Sequence, residues 1–139
     1  MKSLLTLATV ATITLVACKK ESVAPVVTPT SASTSIDTTL YSGAFATNAH
    51  TTTGTVKLIS SKNVRSLKFE NFKTDAGPDL RVYLSKAANG TAKVELGTLK
   101  ATSGNFEYAV ASTINVAEYK YVIIWCEDYS VLFGNAPLK

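Results

Sequence analysis

The sequence predicts an all-β protein, a single-domain antiparallel β-sandwich of about eight strands that follows a signal peptide and a flexible linker. Three observations support this prediction. Short segments rich in Val, Ile, Tyr, Phe and Thr recur between turn residues. No long segment has the period of an amphipathic helix. Residues 19 to 35 are rich in Ser, Thr, Pro and Ala and lack aromatic side chains, which is typical of a spacer.

The N-terminal residues have the layout of an export signal. Lys2 is followed by an apolar stretch, residues 4 to 17, which as a helix would cover only about 21 Å of a hydrocarbon core roughly 30 Å thick. The stretch ends in "LVAC", which resembles a bacterial lipobox. We therefore expect residues 1 to 17 to be a lipoprotein signal peptide and Cys18 to be lipidated. An ordinary signal peptide, cut nearby, is the alternative.

The predicted mature protein is tethered. Residues 18 to 37 are the lipidated Cys18 and its linker, and residues 38 to 139 form the globular domain. Two or three acyl chains on Cys18 would hold the protein to a membrane durably. The segment "CKKE" resembles that of lipoproteins displayed on some outer membranes. We expect an exported protein anchored in the bacterial cell envelope, at the outer membrane.

The predicted strands are separated by short connections. Asn89-Gly90 and Ser103-Gly104 tolerate positive φ, so both are expected to close hairpins. Short connections between strands of this length favour two packed sheets. The strands are expected at residues 40–47, 54–60, 64–72, 80–85, 93–100, 105–111, 119–126 and 130–134.

Alternation along two of these strands predicts how they are buried. Leu67 and Phe69 alternate with charged residues, which indicates one core face and one solvated face. Residues 121 to 126 are apolar on both faces, which indicates a central strand. Trp125 and Cys126 then point to opposite faces of that strand.

A turn is predicted at Gly77, Pro78 and Asp79. Proline fixes φ and has no N–H to donate, and the carboxylates of Asp75 and Asp79 could accept backbone hydrogen bonds on either side. A calcium site would need more oxygen ligands than these two carboxylates provide. We interpret the segment as a structural turn.

Composition excludes several functions. The lysines are interleaved with acidic residues, so the net charge of +4 indicates a solvated surface and no nucleic-acid partner. With Cys18 lipidated, Cys126 is the only free thiol and His50 is the only histidine, which is too few ligands for structural zinc or blue copper. We therefore predict no metal site. Phosphate-binding and serine-hydrolase motifs are also missing.

Cys126 has two interpretations. Unpaired thiols in exported proteins are prone to oxidation, so Cys126 could be a redox thiol or a ligand to a bound group. It could equally be a small hydrophobic residue packed in a buried strand, as most free cysteines are. The residue chemistry leaves both open.

Four segments in order resemble the DM13 domain, and the resemblance spans residues 40 to 138. The compound pattern, G-P-D-L with V-Y-L and later W-C with F-G-x-A-x-L, is more specific than a single short motif. The resemblance implies a β-rich module that transfers electrons through a cysteine, as a bare thiol or with a prosthetic group such as haem. The segments are "GAFATNAHTTTGTVKL", "LKFENFKTDAGPDLRVYLS", "LGTLKATSGNFEYAV" and "YVIIWCEDYSVLFGNAPL".

By this resemblance, the family cysteine corresponds to Cys126, preceded by Trp125, the family histidine to His50, and the turn to residues 77–79. His50 and Cys126 are then the candidate ligands of a non-covalent haem, with the Trp125 ring shielding the sulfur. A local surface role is the alternative for His50. The haem-binding neighbour found in animal proteins is not present in this chain, so a separate redox protein or cytochrome is implied.

We therefore expect a redox component and not a self-contained enzyme. The competing hypothesis is a non-catalytic cell-surface binding or structural module in which Cys126 is only packed.

Overall fold

The structure, a computed structural model, describes residues 36 to 139. The predicted signal peptide, Cys18 and the linker up to residue 35 lie outside the described residues. Residues 36 to 139 contain no helix that is long and apolar enough to cross a membrane. They form one 3₁₀ turn, Val116–Glu118, and nine strands: β1 (Thr38–Ala44), β2 (Ala46–Thr47), β3 (Thr52–Ser61), β4 (Val64–Thr74), β5 (Leu80–Ser85), β6 (Lys93–Thr98), β7 (Ser103–Val110), β8 (Tyr121–Cys126) and β9 (Val131–Pro137).

The strands form two antiparallel sheets, which confirms the predicted all-β sandwich. The four-stranded sheet has the order β1-β3-β4-β7, and the five-stranded sheet has the order β2-β9-β8-β5-β6. Strand β8 lies between β9 and β5, so the central strand was predicted correctly. Leu67 and Phe69 are fully buried in one core cluster with side chains of both sheets, as their alternation predicted.

The first predicted strand, residues 40 to 47, is wrong as a single element. It divides at Phe45 into β1, which pairs with β3, and β2, which pairs with β9 in the other sheet. Phe45 is buried, and its N–H donates to the carbonyl of Gly54 at 2.9 Å. Burial of this one aromatic ring between the sheets turns the chain from one sheet to the other.

One of the two predicted hairpins is correct. Asn89-Gly90 lies in the connection between β5 and β6, which pair as antiparallel neighbours. Ser103-Gly104 lies inside β7 and closes no hairpin. Gly104, at φ 111°, is paired with Phe72 next to a bulge in which β4 has one extra residue, so this glycine lies within a strand and not in a turn.

Candidate functional site

Cys126 is the last residue of β8 and its side chain points into the core. It is 0% exposed and belongs to the same apolar cluster as Val122 and Ile124. Its Cα partners are Leu80 on β5 and Val131 on β9. The thiol is therefore enclosed by apolar side chains near one end of the five-stranded sheet.

The predicted turn lies beside this cysteine and connects β4 of one sheet to β5 of the other. The carbonyl of Asp79 accepts a hydrogen bond from the N–H of Glu127, the residue after Cys126, at 2.9 Å. A Cβ on Gly77 would lie 2.9 Å from Leu80 Cδ2 and 3.0 Å from Phe133 Cζ, so glycine lets the turn pack closely on the core. The turn thus closes the sheet end next to the thiol.

The two predicted carboxylate acceptors in this turn behave differently. Asp75 Oδ2 accepts the N–H of Thr51 at 3.2 Å, as predicted. The Asp79 carboxylate accepts from Arg81 Nε and Nη2, each at 3.0 Å, and this two-point contact takes the place of the predicted backbone bond. Arg81 is the better partner because its guanidinium matches a carboxylate with two parallel donors.

His50 lies in the loop between β2 and β3, and Phe133 of β9 positions it. The backbone N–H of His50 donates to the Phe133 carbonyl at 3.4 Å, and the imidazole stacks on the Phe133 ring with the ring centroids 4.0 Å apart. Its Nδ1 lies 3.5 Å from Asp75 Oδ2, and its side chain remains 43% exposed. Behind the loop, the Thr52 hydroxyl donates to the His50 carbonyl at 3.2 Å. The imidazole is thus held at the surface over a buried ring.

The structure brings His50, the residue 77–79 turn and Cys126 to one end of the sandwich. Phe133 links them: it contacts the imidazole, packs against the turn, and shares the core cluster with Cys126. The imidazole pairs with Phe133 and Asp75, and the thiol packs with apolar side chains. The Trp125 ring lies on the outer face of β8, so core side chains shield the sulfur and the indole does not.

The described residues do not fit a haem held by His50 and Cys126. An axial ligand must present its sulfur to an open cavity, and this sulfur is fully buried among packed side chains. A cleft of about 190 Å³ lies on the four-stranded sheet, away from Cys126, and is lined by Lys68 and residues 105–107. This volume is smaller than the roughly 300 Å³ of a small ligand pocket. Within residues 36 to 139, no three His, Cys, Asp or Glu side chains are grouped to hold a metal ion.

A second cluster, which the sequence did not predict, lies on the outer face of the five-stranded sheet. Lys93 Nζ lies 4.0 Å from the centroid of the Trp125 ring and 4.3 Å from that of Tyr83. The Tyr83 hydroxyl donates to Glu127 Oε1, and Lys93 Nζ lies 3.6 Å from the same oxygen. We refer to Tyr83, Lys93, Trp125 and Glu127 as the outer cluster.

Charged side chains surround the Tyr83 hydroxyl. Glu95 Oε2 lies 3.4 Å from the hydroxyl oxygen, and Glu95 Oε1 accepts from Arg81 Nη1 at 2.9 Å. Burial and the hydrogen bond to the Glu127 carboxylate raise the pKa of Tyr83 well above its ordinary value. The phenol is therefore held protonated with a carboxylate acceptor already in place. The signal in the sequence was the alternation of "LRVYLS", which turns Arg81 and Tyr83 away from the core.

Comparison with known proteins agrees with the sequence resemblance. No curated protein and no solved structure matches this chain. The model of the family described as "Electron transfer DM13" matches residues 44 to 138. This match includes His50, the residue 77–79 turn, the outer cluster and Cys126, and the chain belongs to the electron transfer DM13 family.

Proposed function

We propose that this protein is a lipid-anchored module of the bacterial cell envelope that exchanges single electrons with a separate redox protein, and that Cys126 is its redox residue. Membership of an electron-transfer family supports the transfer of electrons. The observation that carries the role of Cys126 is its position: it is the one thiol within residues 36 to 139, and it is fully buried at the sheet end where the residue 77–79 turn and His50 also lie.

Burial of the thiol favours electron transfer over thiol exchange. Thiol–disulfide exchange needs a reagent to attack the sulfur directly, and a fully buried sulfur gives no such access. An electron crosses covalent bonds and packed contacts without such access. One short connection leads from the thiol toward solvent through the peptide bond to Trp125. The Phe133 ring, which lies in the same core cluster as the thiol, stacks on the exposed imidazole.

In this proposal, a one-electron acceptor such as the ferric haem of a cytochrome takes one electron and becomes ferrous. The Cys126 S–H bond breaks, its proton leaves through the turn between β8 and β9, and a sulfur-centred radical remains. Residues 128 to 130 of that turn are exposed, and Tyr129 is 69% exposed. The sulfur then needs no permanent opening to solvent, only brief movement of this turn to release a proton.

The test is to map where the full-length chain is oxidised. A photogenerated ruthenium(III) complex is the one-electron acceptor, and rapid freezing followed by electron paramagnetic resonance detects the radicals without any reagent entering the core. We expect a sulfur-centred radical that is lost in Cys126→Ala, while His50→Gln keeps it. A radical spectrum without a sulfur-centred signal, in a folded protein, would contradict the role of this thiol.

The lipid anchor is tested separately. Cells fed a clickable fatty acid should label the wild-type protein, and Cys18→Ser should remove the label and release the protein from the membrane fraction. The single change leaves residues 36 to 139 untouched, so electron exchange should be unaffected. Labelling that persists in Cys18→Ser would show that the anchor lies elsewhere.

The complete burial of Cys126 also favours a second function, a cell-surface structural or binding module in which the cysteine only packs. In that case Cys126→Ala should fold with a loss of about 1 to 2 kcal/mol in the free energy of unfolding and leave electron exchange unchanged. The two functions therefore differ in the redox behaviour of the alanine variant, not in its stability.

A further inference from the structure

The outer cluster contains a tyrosine whose hydroxyl already donates to a carboxylate. Tyr83 is only 6% exposed, and its hydroxyl donates to Glu127 Oε1. This cluster lies on the opposite face of the sheet from Cys126, and the proposed function uses neither its phenol nor its carboxylate. Its chemistry therefore needs a separate explanation.

Loss of one electron makes a phenol strongly acidic, so the oxidation is easiest where a base can accept the proton at once. A positioned carboxylate within hydrogen-bond distance is such a base. Glu127 supplies it, because Glu127 Oε1 accepts the closer hydrogen bond, whereas Glu95 Oε2 lies 3.4 Å from the hydroxyl and Glu95 also accepts from Arg81 at 2.9 Å. Glu127 is therefore the proton acceptor that geometry favours.

The neighbouring indole is less suited to lose an electron. Lys93 Nζ lies 4.0 Å from the centroid of the Trp125 ring, and a fixed positive charge at that distance opposes formation of an indole radical cation. Lys93 Nζ also lies 4.3 Å from the centroid of the Tyr83 ring, but Tyr83 avoids a net positive charge by giving its proton to Glu127. Within the outer cluster, the electron should therefore be lost from Tyr83.

Another buried tyrosine provides a natural comparison. The hydroxyl of Tyr108 donates to the carbonyl of Thr98 at 2.9 Å and accepts the N–H of Lys100 at 2.8 Å. A backbone carbonyl is a very weak base and cannot take the proton of an oxidised phenol. Tyr108 is thus buried to a similar extent, with 5% exposure, but lacks a proton acceptor.

We infer that Tyr83 is a second redox residue of this protein, oxidised by one electron with Glu127 as its proton acceptor. A strong one-electron oxidant, such as a high-valent metal centre, removes one electron from the phenol. The Tyr83 O–H bond breaks, an O–H bond forms on the Glu127 carboxylate, and a neutral tyrosyl radical remains. The inference goes beyond the proposed role of Cys126 and does not depend on it.

The experiment is flash photolysis of the full-length chain in detergent, with photogenerated tris(bipyridine)ruthenium(III) as the oxidant and the tyrosyl absorption as the readout. We expect Tyr83→Phe to remove the fast tyrosyl phase and Tyr108→Phe to retain it. Glu127→Gln keeps a hydrogen-bond acceptor but not the base, so it should slow the fast phase by about 100-fold. Circular dichroism of each variant checks that it is folded.

Two results would overturn the inference: a fast tyrosyl phase that survives Tyr83→Phe, or an unchanged rate in folded Glu127→Gln. Repeating the measurement in Cys126→Ala separates the two proposals. A retained tyrosyl phase supports an independent role for Tyr83, whether or not Cys126 is oxidised in the wild type. A phase that disappears with Cys126 would contradict that independence.

Discussion

The two faces of strand β8 provide opposite environments within six residues. Val122, Ile124 and Cys126 enter a core without charge, where each is 0% exposed. On the other face, Trp125 lies under a lysine ammonium and next to a tyrosine bonded to a carboxylate. The inner face holds a thiol away from reagents and proton acceptors, whereas the outer face pairs an oxidisable ring with a base.

This difference indicates a division of roles along one strand. The inner thiol can exchange an electron only through packed atoms, so its redox behaviour depends on how well the core is closed. The outer phenol can exchange an electron together with a proton, so its behaviour depends on Glu127. Variants on the two faces should therefore change different measurements.

The largest effect on stability is expected from the inner face. Ile124→Ala leaves a cavity in a fully packed region and should lower the free energy of unfolding by about 2 to 5 kcal/mol. Urea denaturation measures this loss. Ile36→Ala removes the same atoms from a side chain that is 84% exposed and should change it by less than about 0.5 kcal/mol. Equal losses would show that the β8 core is not closed as described.

A polar atom at the thiol position tests how apolar the inner face is. Cys126→Ser places a hydroxyl among apolar side chains and should lower the free energy of unfolding by about 1 to 3 kcal/mol. Cys126→Ala, the matched truncation, should lose less than the serine variant. If serine proves as stable as wild type, the sulfur has polar or hydrated surroundings.

Alkaline pH tests the outer face. Since the folded pKa of Tyr83 is raised, its stabilisation is complete below the ordinary tyrosine pKa of about 10 and is lost as pH rises toward the folded value. Stability should fall by up to about 1.4 kcal/mol per pH unit for this group. Burial also raises the pKa of Tyr108, so that residue contributes a fall in the same direction.

The variant Tyr83→Phe isolates the contribution of Tyr83. Above pH 10, its stability should decline less steeply than that of the wild type, in thermal melts over a pH series. Tyr129→Phe, which alters an exposed tyrosine, should keep the wild-type slope. A Tyr83→Phe slope identical to wild type would mean that the phenol is not held protonated.

The smallest effect is expected from the ammonium of the outer cluster. Lys93→Gln removes a cation over two aromatic rings and should lower the free energy of unfolding by about 0.5 to 1 kcal/mol. Lys120→Gln is the control, because its ammonium lies 5.7 Å from the Tyr41 centroid. A larger loss in Lys120→Gln would contradict the assignment of these contacts.

The sequence predicted those features that depend on local alternation. Strand β4, the central position of β8 and the β5–β6 hairpin follow from patterns within a few residues. The change of sheet at Phe45 and the bulge in β4 opposite residue 105 could not be predicted, because each depends on a partner strand far along the chain. A glycine with positive φ can lie in a turn or within a strand, and sequence alone does not distinguish the two.

The candidate site, like the fold, could be predicted from the sequence only in part. Cys126, His50 and the residue 77–79 turn were identified from single residues and a family resemblance, but their arrangement around Phe133, which contacts His50 and the turn and shares the core cluster with Cys126, required the fold. The outer cluster was not predicted from the sequence, because its members come from β5, β6, β8 and the turn after β8. Lysine, glutamate and tyrosine in separate strands have no spacing that predicts their meeting.

The most direct test of the central claim, that a sealed thiol exchanges electrons, compares two rates at Cys126 in the native full-length chain. One is oxidation by ruthenium(III), and the other is alkylation by a bulky maleimide, both located by mass analysis. We predict that oxidation is much faster than alkylation, since an electron reaches the buried sulfur and the maleimide must wait for unfolding. Equal rates, both limited by unfolding, would contradict the claim and leave Cys126 as a packing residue.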